Sequence, residues 1–254
     1  MDDFLNTYLN WEYIWQVFPE LLRTGLVNTL ILAASSAVIG TVLGMVLAMM
    51  SLSTKWWLRW PARVYTDIFR GLPAILTILL VGQGALILGR DLFGTNPYPP
   101  GILALSLIAA AYIGEIFRSG IQSVEKGQLE ASRALGMSYA KAMALVVVPQ
   151  GVRRVLPALV NQLIALIKES SLVYFLGLLA GQRELFRIGQ DLAANTGNLS
   201  PLVAAGFCYL VITVPLTHLV NYIDKKLRTG RKVDRAPDDQ DDTPMLAANQ
   251  PGQL

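Results

Sequence analysis

Charge is scarce in this chain, and so is most of what a catalytic centre needs. Only 15% of its 254 residues are charged and 53% are hydrophobic, with a mean hydropathy of +0.45. A soluble domain carries charge on about a quarter of its residues, so the balance points to a bilayer environment. The single cysteine, Cys208, sits in an apolar run, which excludes an internal disulfide and leaves the redox compartment open. The single histidine, His218, lies in another apolar stretch and reads as structural. No His/Cys cluster has metal-ligand spacing, so no metal is expected. A GxxxxGK[ST] loop is missing, so the chain has no such cradle for nucleotide phosphates. No nucleophile–base pair stands in a recognisable context, and no enzyme activity is expected. The net charge of +3 is too small to argue for nucleic acid. The N-terminus, MDDFLNTYLNWEYIWQVFPE, lacks the basic start and small-residue cleavage site of a signal peptide, and none is expected.

What is present instead is a series of long apolar runs. A spanning helix needs about 20 mainly apolar residues, because lipid offers no partner to a free backbone N–H or C=O. Five segments meet that test, approximately Thr24–Met50, Val64–Leu88, Gly101–Ile121, Val155–Leu179 and Pro201–Ile223. The expected fold is therefore all-α, a polytopic membrane helical bundle of about five transmembrane helices. Trp11, Tyr13 and Trp15 suit the membrane–water interface, which makes residues 1–20 an extracytoplasmic, interfacial segment. Residues 21–228 form the transmembrane domain.

Basic residues fall unevenly between the runs. Lys55, Arg59, Arg63 and Arg70 follow the first; Arg118, Lys126, Arg133, Lys141, Arg153 and Arg154 lie around the loop after the third. Lys225, Lys226, Arg228, Arg231, Lys232 and Arg235 follow the fifth. The opposite side keeps only Arg23, Arg90, Arg183 and Arg187. Cytoplasmic loops collect Lys and Arg, so the expected topology is N-terminus out and C-terminus in. Residues 229–254 have Pro237, Pro244 and Pro251 and the cluster Asp238, Asp239, Asp241 and Asp242, a composition that predicts a disordered acidic cytoplasmic tail.

The most informative stretch is the loop over residues 122–150. It is too polar to span and too regular for a plain linker. Gly127 to Leu135 reads as a short amphipathic helix ended by Gly136, a residue suited to the left-handed cap. A second helical stretch is expected from Ser138 to about Val147, stopping before Pro149. Small Ala131, Ser132 and Ala134 would let the first helix fit closely into another protein's cleft. An amphipathic helix resting on lipid is the alternative from periodicity alone.

The residues themselves favour the first reading. Glu130-Ala131-Ser132, then Gly136 and Val148-Pro149, resembles the EAA loop of ABC importer permeases, with Ser132 in place of the second alanine. AAYIGEIFRSGIQSVEKGQLEASRALG, VVVPQGVRRVLPALVNQ, LIKESSL and the FRGLP at Phe69–Pro73 resemble the polar amino-acid permeases of that superfamily, the histidine/glutamate/glutamine-type importers. The likeness covers roughly Pro19 to Leu227. It implies the type I importer permease fold in the cytoplasmic (inner) membrane. It also implies that the loop is the coupling helix, with Glu130, Ala131, Ala134, Leu135 and Gly136 docking on an ATPase. The expected partners are two ATP-binding-cassette ATPase subunits, a second permease subunit, identical or related, and an extracytoplasmic solute-binding protein. The resemblance also implies surrounding lipid and an amino acid as substrate. No cofactor is expected on this chain; ATP and magnesium belong to the partner.

Charged side chains inside a span are costly and face the bundle interior or a watery cavity. Tyr112, Glu115 and Arg118 share a helix face, and Glu115 and Arg118 are expected to form a structural pair near the cytoplasmic end. Gln162, Leu166 and Glu169 share a face of the fourth run, with Asn161 and Lys168 on the neighbouring strip. Polar groups so placed suit either a solute pathway or a subunit interface. An α-amino acid carries an ammonium and a carboxylate, which makes Gln162 and Glu169 candidate contacts. A stand-alone secondary transporter or channel is the competing class, disfavoured by the odd span count and the lack of an evident repeat.

Overall fold

The structure, a computed structural model, describes residues 1–229, and the acidic tail expected over 229–254 falls outside these apart from Thr229. Its described residues form helices and turns and no strand. Helix α1 (Asp2–Tyr8) leads into α2 (Trp11–Glu20), whose N-cap Asn10 accepts a hydrogen bond from the Glu12 N–H at 3.0 Å. A π turn over Leu21–Gly25 joins α2 to α3 (Leu26–Leu52), 27 residues and so about 40 Å long. Val38, Val42 and Val46 recur every fourth residue on α3 and are exposed, as suits a lipid-facing strip.

The opposite face of α3 packs on α8 (Tyr98–Gln122), the most buried helix of the bundle. Between them stand α4 (Trp56–Gly71), α5 (Ala74–Thr77), α6 (Gln83–Leu88) and α7 (Arg90–Phe93). Gly40 and Gly44 form a GxxxG pair against Ala109, Ala110 and Gly114 of α8. A Cβ on Gly44 would lie 2.9 Å from the Gly114 nitrogen. Without a hydrophobic drive between helices in lipid, close backbone approach of this kind is what holds them together. The Ser36 hydroxyl adds a bond to the Ile102 carbonyl at 3.3 Å.

The remaining elements are α9 (Lys126–Ala134), α10 (Tyr139–Ala142), α11 (Val148–Arg154), α12 (Leu156–Glu169), α13 (Leu185–Thr196) and α14 (Ser200–Thr229). By length and composition four helices among the described residues are able to cross a membrane, or five if a bent pair counts as one span. The bent pair covers the expected span over Val64–Leu88, which is broken and not one straight helix. Helix α4 meets the helical stretch from Ala74 to Leu88 at 112°. The cause lies in Gly71-Leu72-Pro73: Pro73 has no N–H to continue the helix, and Leu72 before it is extended, with φ −84° and ψ 142°.

Two more boundaries differ from expectation. The fourth run does not continue as one α-helix, since it tightens to a 3-10 turn over Ser170–Leu176 and stops at Gly177, where φ is +78°. Pro149 does not end the helix before it. A π turn over Met143–Val147 carries the chain into α11 with Pro149 in its first turn, where a missing N–H costs nothing.

The start of the chain is tied to the start of α14. The Leu199 N–H donates to the Thr7 carbonyl at 2.9 Å, and the Asn10 N–H donates to the Ser200 hydroxyl at 2.8 Å. Val17 and Leu21 then pack with Leu185, Ile188, Ala204 and Cys208. His218 is exposed on α14, so the described residues do not bury it as a structural histidine.

Candidate functional site

The 122–150 loop folds into a compact knob at the ends of α8 and α11. Leu129 of α9 packs on Ile121, Val124, Met143 and Val147, which fixes the helix by its apolar side. Ser132 faces inward with it, and its hydroxyl donates to the Gln128 carbonyl at 2.7 Å. That corrects the expectation that Ser132 is offered outward, because at α-helical spacing it falls on the side of Leu129. Glu130, Ala131, Arg133 and Ala134 are exposed, and Leu135 is 85% exposed. Gly136 then takes φ +85°, and its N–H donates to the Arg133 carbonyl at 3.0 Å while that of Met137 donates to the Ser132 carbonyl at 3.2 Å. The Ser138 hydroxyl caps the following turn by accepting from the Lys141 N–H at 3.4 Å. At the base of the knob an Arg154 Nη1–H donates to the Ser123 carbonyl, and Gln150 Nε2 donates to Gln128 Oε1 at 3.4 Å. Leu135 and the two alanines thus form a small exposed apolar surface on a packed base.

Helix α12 divides its polar residues between two environments. Gln162 and Glu169 are half-buried, and Leu166 between them is fully buried in the cluster that includes Ala33, Ala109 and Ile113. Their shared face is therefore packed at its centre and polar at its two ends. Asn161 and Lys168, on the neighbouring strip, are exposed. Glu169 Oε2 is buried and has no hydrogen-bond partner among the described residues. Buried carboxylate oxygens left unpaired are rare, because desolvation without compensation is expensive.

Glu115 and Arg118 form a bidentate ion pair on α8, with Arg118 Nε donating to Glu115 Oε2 at 2.8 Å. Arg118 Nη1 also donates to Gln122 Oε1 at 2.6 Å. The Arg70 guanidinium sits 5.5 Å from the Tyr112 ring centroid, which brings α4 against this polar face of α8.

Sequence reasoning passed over one residue of the group. Glu184, fully buried before α13, accepts from the N–H groups of Phe186 at 2.6 Å and Arg187 at 2.7 Å, and from the Tyr209 hydroxyl of α14 at 3.0 Å. The Leu185 N–H donates to the Thr29 hydroxyl of α3 at 3.2 Å. Burial pushes the Glu184 carboxyl up to about 7, against the downward pull of those hydrogen bonds and of Arg187. The signal for it was slight: an acid placed just before a helical run, as a helix cap.

A bundle of spanning helices joined at glycine contacts, carrying a rigid knob on one end and polar groups on inner faces, is the build of a membrane transport component. Residues 11–229 match the family of binding-protein-dependent transport system inner membrane components, and the chain belongs to that family. It is 39% identical over 213 residues to the arginine transport system permease protein of Bacillus subtilis, covering 84% of this chain and 94% of that one. It is 34% identical over 226 residues to the glutamate/aspartate import permease protein of Escherichia coli, covering 85% of this chain and 97% of that one. A solved amino acid ABC transporter with histidines has 29% identity and a TM-score of 0.74, over 86% of this chain and 99% of that one. The chain is thus an all-helical, multi-pass inner-membrane component with the fold of ABC importer permeases.

Proposed function

We propose that this chain is the permease subunit of an ABC importer for a polar amino acid, driven by ATP hydrolysis on separate ATPase subunits. The observation that carries this reading is the knob: exposed Ala131, Ala134 and Leu135 beside a left-handed Gly136, held from behind by Leu129 and Ser132. ATP and magnesium bind on the partner, since this chain has no phosphate-binding loop. Two ATPases and two permeases, alike or related, assemble with a solute-binding protein that delivers substrate from outside. The amino-acid class is supported by the names of the relatives. The knob faces the cytoplasm, with the N-terminus outside, in keeping with the Lys and Arg gathered on that side.

Within the membrane, Gln162 and Glu169 contact the substrate and Asn161 and Lys168 border its path. The orphaned Glu169 Oε2 supports this, because an ammonium group would supply the partner it lacks. In this cycle the knob moves with the ATPases, α8 and α11 carry that motion inward, and the faces of α12 change their access.

Reconstitution in liposomes tests the reading. Uptake of a radiolabelled amino acid is expected only with the permease, its ATPase, ATP and the solute-binding protein together. Uptake by the permease alone would make the chain a secondary transporter or channel. Orientation is checked by cysteine labelling in a Cys208→Ala background. A cysteine at Asn96 or Asn198 should react from outside and one at Ser138 should not; the reverse pattern would invert the topology.

A further inference from the structure

A cavity of about 330 Å³ lies between α4 and α8, and every residue lining it is polar or charged. Arg63, Thr66, Asp67 and Arg70 line it from α4, and Glu115 and Arg118 from α8. Arg63, Asp67 and Arg70 recur at i, i+4 and i+7, so they form one strip along α4. All three are exposed within this subunit. Five ionisable groups around one cavity in a spanning bundle are costly unless the space holds water or a charged ligand.

Their present contacts separate the five. Arg118 and Glu115 neutralise each other, and Gln122 takes a further donor of Arg118. Arg70 lies over the Tyr112 ring and makes no side-chain hydrogen bond or ion pair among the described residues, so its donors are available. Arg63 and Asp67 make no side-chain hydrogen bond or ion pair among the described residues. The cavity thus presents two guanidiniums able to take a carboxylate and one carboxylate able to take an ammonium. That is the charge pattern of an α-amino acid's own backbone. Its volume is at the small end of ligand sites, which run from about 300 Å³ upward. Its lining is mainly polar and offers little to an acyl chain, which argues against a phospholipid.

Position adds the direction of access. Ser51 in the last turn of α3 lines the cavity, and Arg118 is within about one turn of the end of α8. Those helix ends are on the side where the knob leaves the bundle. The cavity therefore opens toward the cytoplasm in the orientation proposed above.

We propose that this cavity is an inner amino-acid subsite, separate from Gln162 and Glu169, in which Arg63 and Arg70 hold the α-carboxylate and Asp67 the α-ammonium. The inference rests on the amino-acid importer reading and extends it. Because the contacts are to the substrate's backbone, the subsite is blind to the side chain. Because it opens inward, amino acid accumulated inside occupies it and slows further import.

The test uses the permease–ATPase complex in nanodiscs, without the solute-binding protein, and a panel of radiolabelled common amino acids as probes. Every α-amino acid of the panel is expected to bind saturably, whether or not the complete system transports it, whereas binding of the transported one alone would overturn the subsite. The α-amide and the N-acetyl derivative of the transported one, each lacking one backbone charge, should compete at least tenfold more weakly. Arg63→Gln and Asp67→Asn should each weaken binding tenfold or more, with Asp67→Glu restoring most of it. In liposomes preloaded with the same amino acid, Asp67→Asn should raise the internal concentration that halves uptake, with the external KM unchanged. Equal competition by both derivatives, or affinities within twofold of wild type in both variants, would overturn the subsite. Should a variant fail to assemble with its ATPase, the derivative comparison on the wild type decides. A complete wild-type system that takes up no amino acid would instead overturn the importer reading, and the subsite with it.

Discussion

Gly120 of α8 and Gly151 of α11 meet backbone to backbone at the base of the knob. A Cβ on Gly120 would lie 2.7 Å from the Gly151 carbonyl oxygen, and one on Gly151 would lie 2.8 Å from the Ile121 Cα. Neither obstacle is a flexible side chain, so neither can swing aside. Gly151→Ala should therefore destabilise the subunit by about 1–3 kcal/mol, the usual cost of overpacking. Gly127→Ala is the control, because nothing lies within 4 Å of a Cβ there. Thermal unfolding of the two purified variants should separate them clearly. Equal midpoints would show that α8 and α11 give way easily and transmit little.

The Gly136→Val variant probes the knob's tip. At φ +85° a β-branched residue is strained, at a cost of roughly 1–2 kcal/mol or more, so the turn after α9 should re-form differently. The spans should still insert, while ATPase co-purification and uptake fall together. Glu130→Ala should do less, since an exposed charge is worth under about 1 kcal/mol. A Gly136→Val permease that keeps its ATPase and transports normally would remove this loop from the coupling role.

Glu169→Gln tests the substrate contact. The change keeps shape and removes charge next to a buried oxygen that has no partner. Loss of one charge-assisted hydrogen bond is worth about 1.5–3 kcal/mol, so uptake efficiency should fall by about tenfold or more with assembly intact. Unchanged kinetics for every amino acid carried would exclude Glu169 from the path. An assembly defect would place it instead in a structural contact.

Glu184 makes stability depend on pH in a defined direction. Its folded value of about 7 is above the ordinary 4.5, so the folded state holds the proton more tightly than the unfolded one between those values. Its contribution is then largest below about 4.5 and is lost as pH rises through about 7. Thermal unfolding in detergent across this range should show the wild type losing stability relative to Glu184→Gln as pH rises, by roughly 3 kcal/mol at most. Parallel curves would mean that the folded carboxyl binds its proton no more tightly than the unfolded one.

How much was legible in the sequence depended on the range of the interaction. Hydropathy is a local quantity, and it located three of the four long spans to within a few residues and the end of the first, whose helical stretch begins well before Thr24. The helix of the knob and its left-handed Gly136 were also local, since a cap is decided by one residue's backbone freedom. The bend at Leu72–Pro73 was written in the sequence as well, yet the apolar run across it outweighed the proline in the span assignment.

By itself, then, the sequence determined a helical membrane protein, the helix and left-handed glycine of its 122–150 loop, and its family. Only the tertiary structure decided which polar residues meet. Glu184, Tyr209 and Thr29 come from three elements far apart in the chain, and their proximity exists only after α3, α13 and α14 have packed. The same holds for Arg63 and Asp67, which local spacing places on one strip but which only the crossing of α4 and α8 turns toward Glu115 and Arg118. Periodicity tells which residues share a face of one helix; what that face looks at is set by the helix packed against it, and in lipid that choice rests on close backbone contacts such as Gly44 on Gly114.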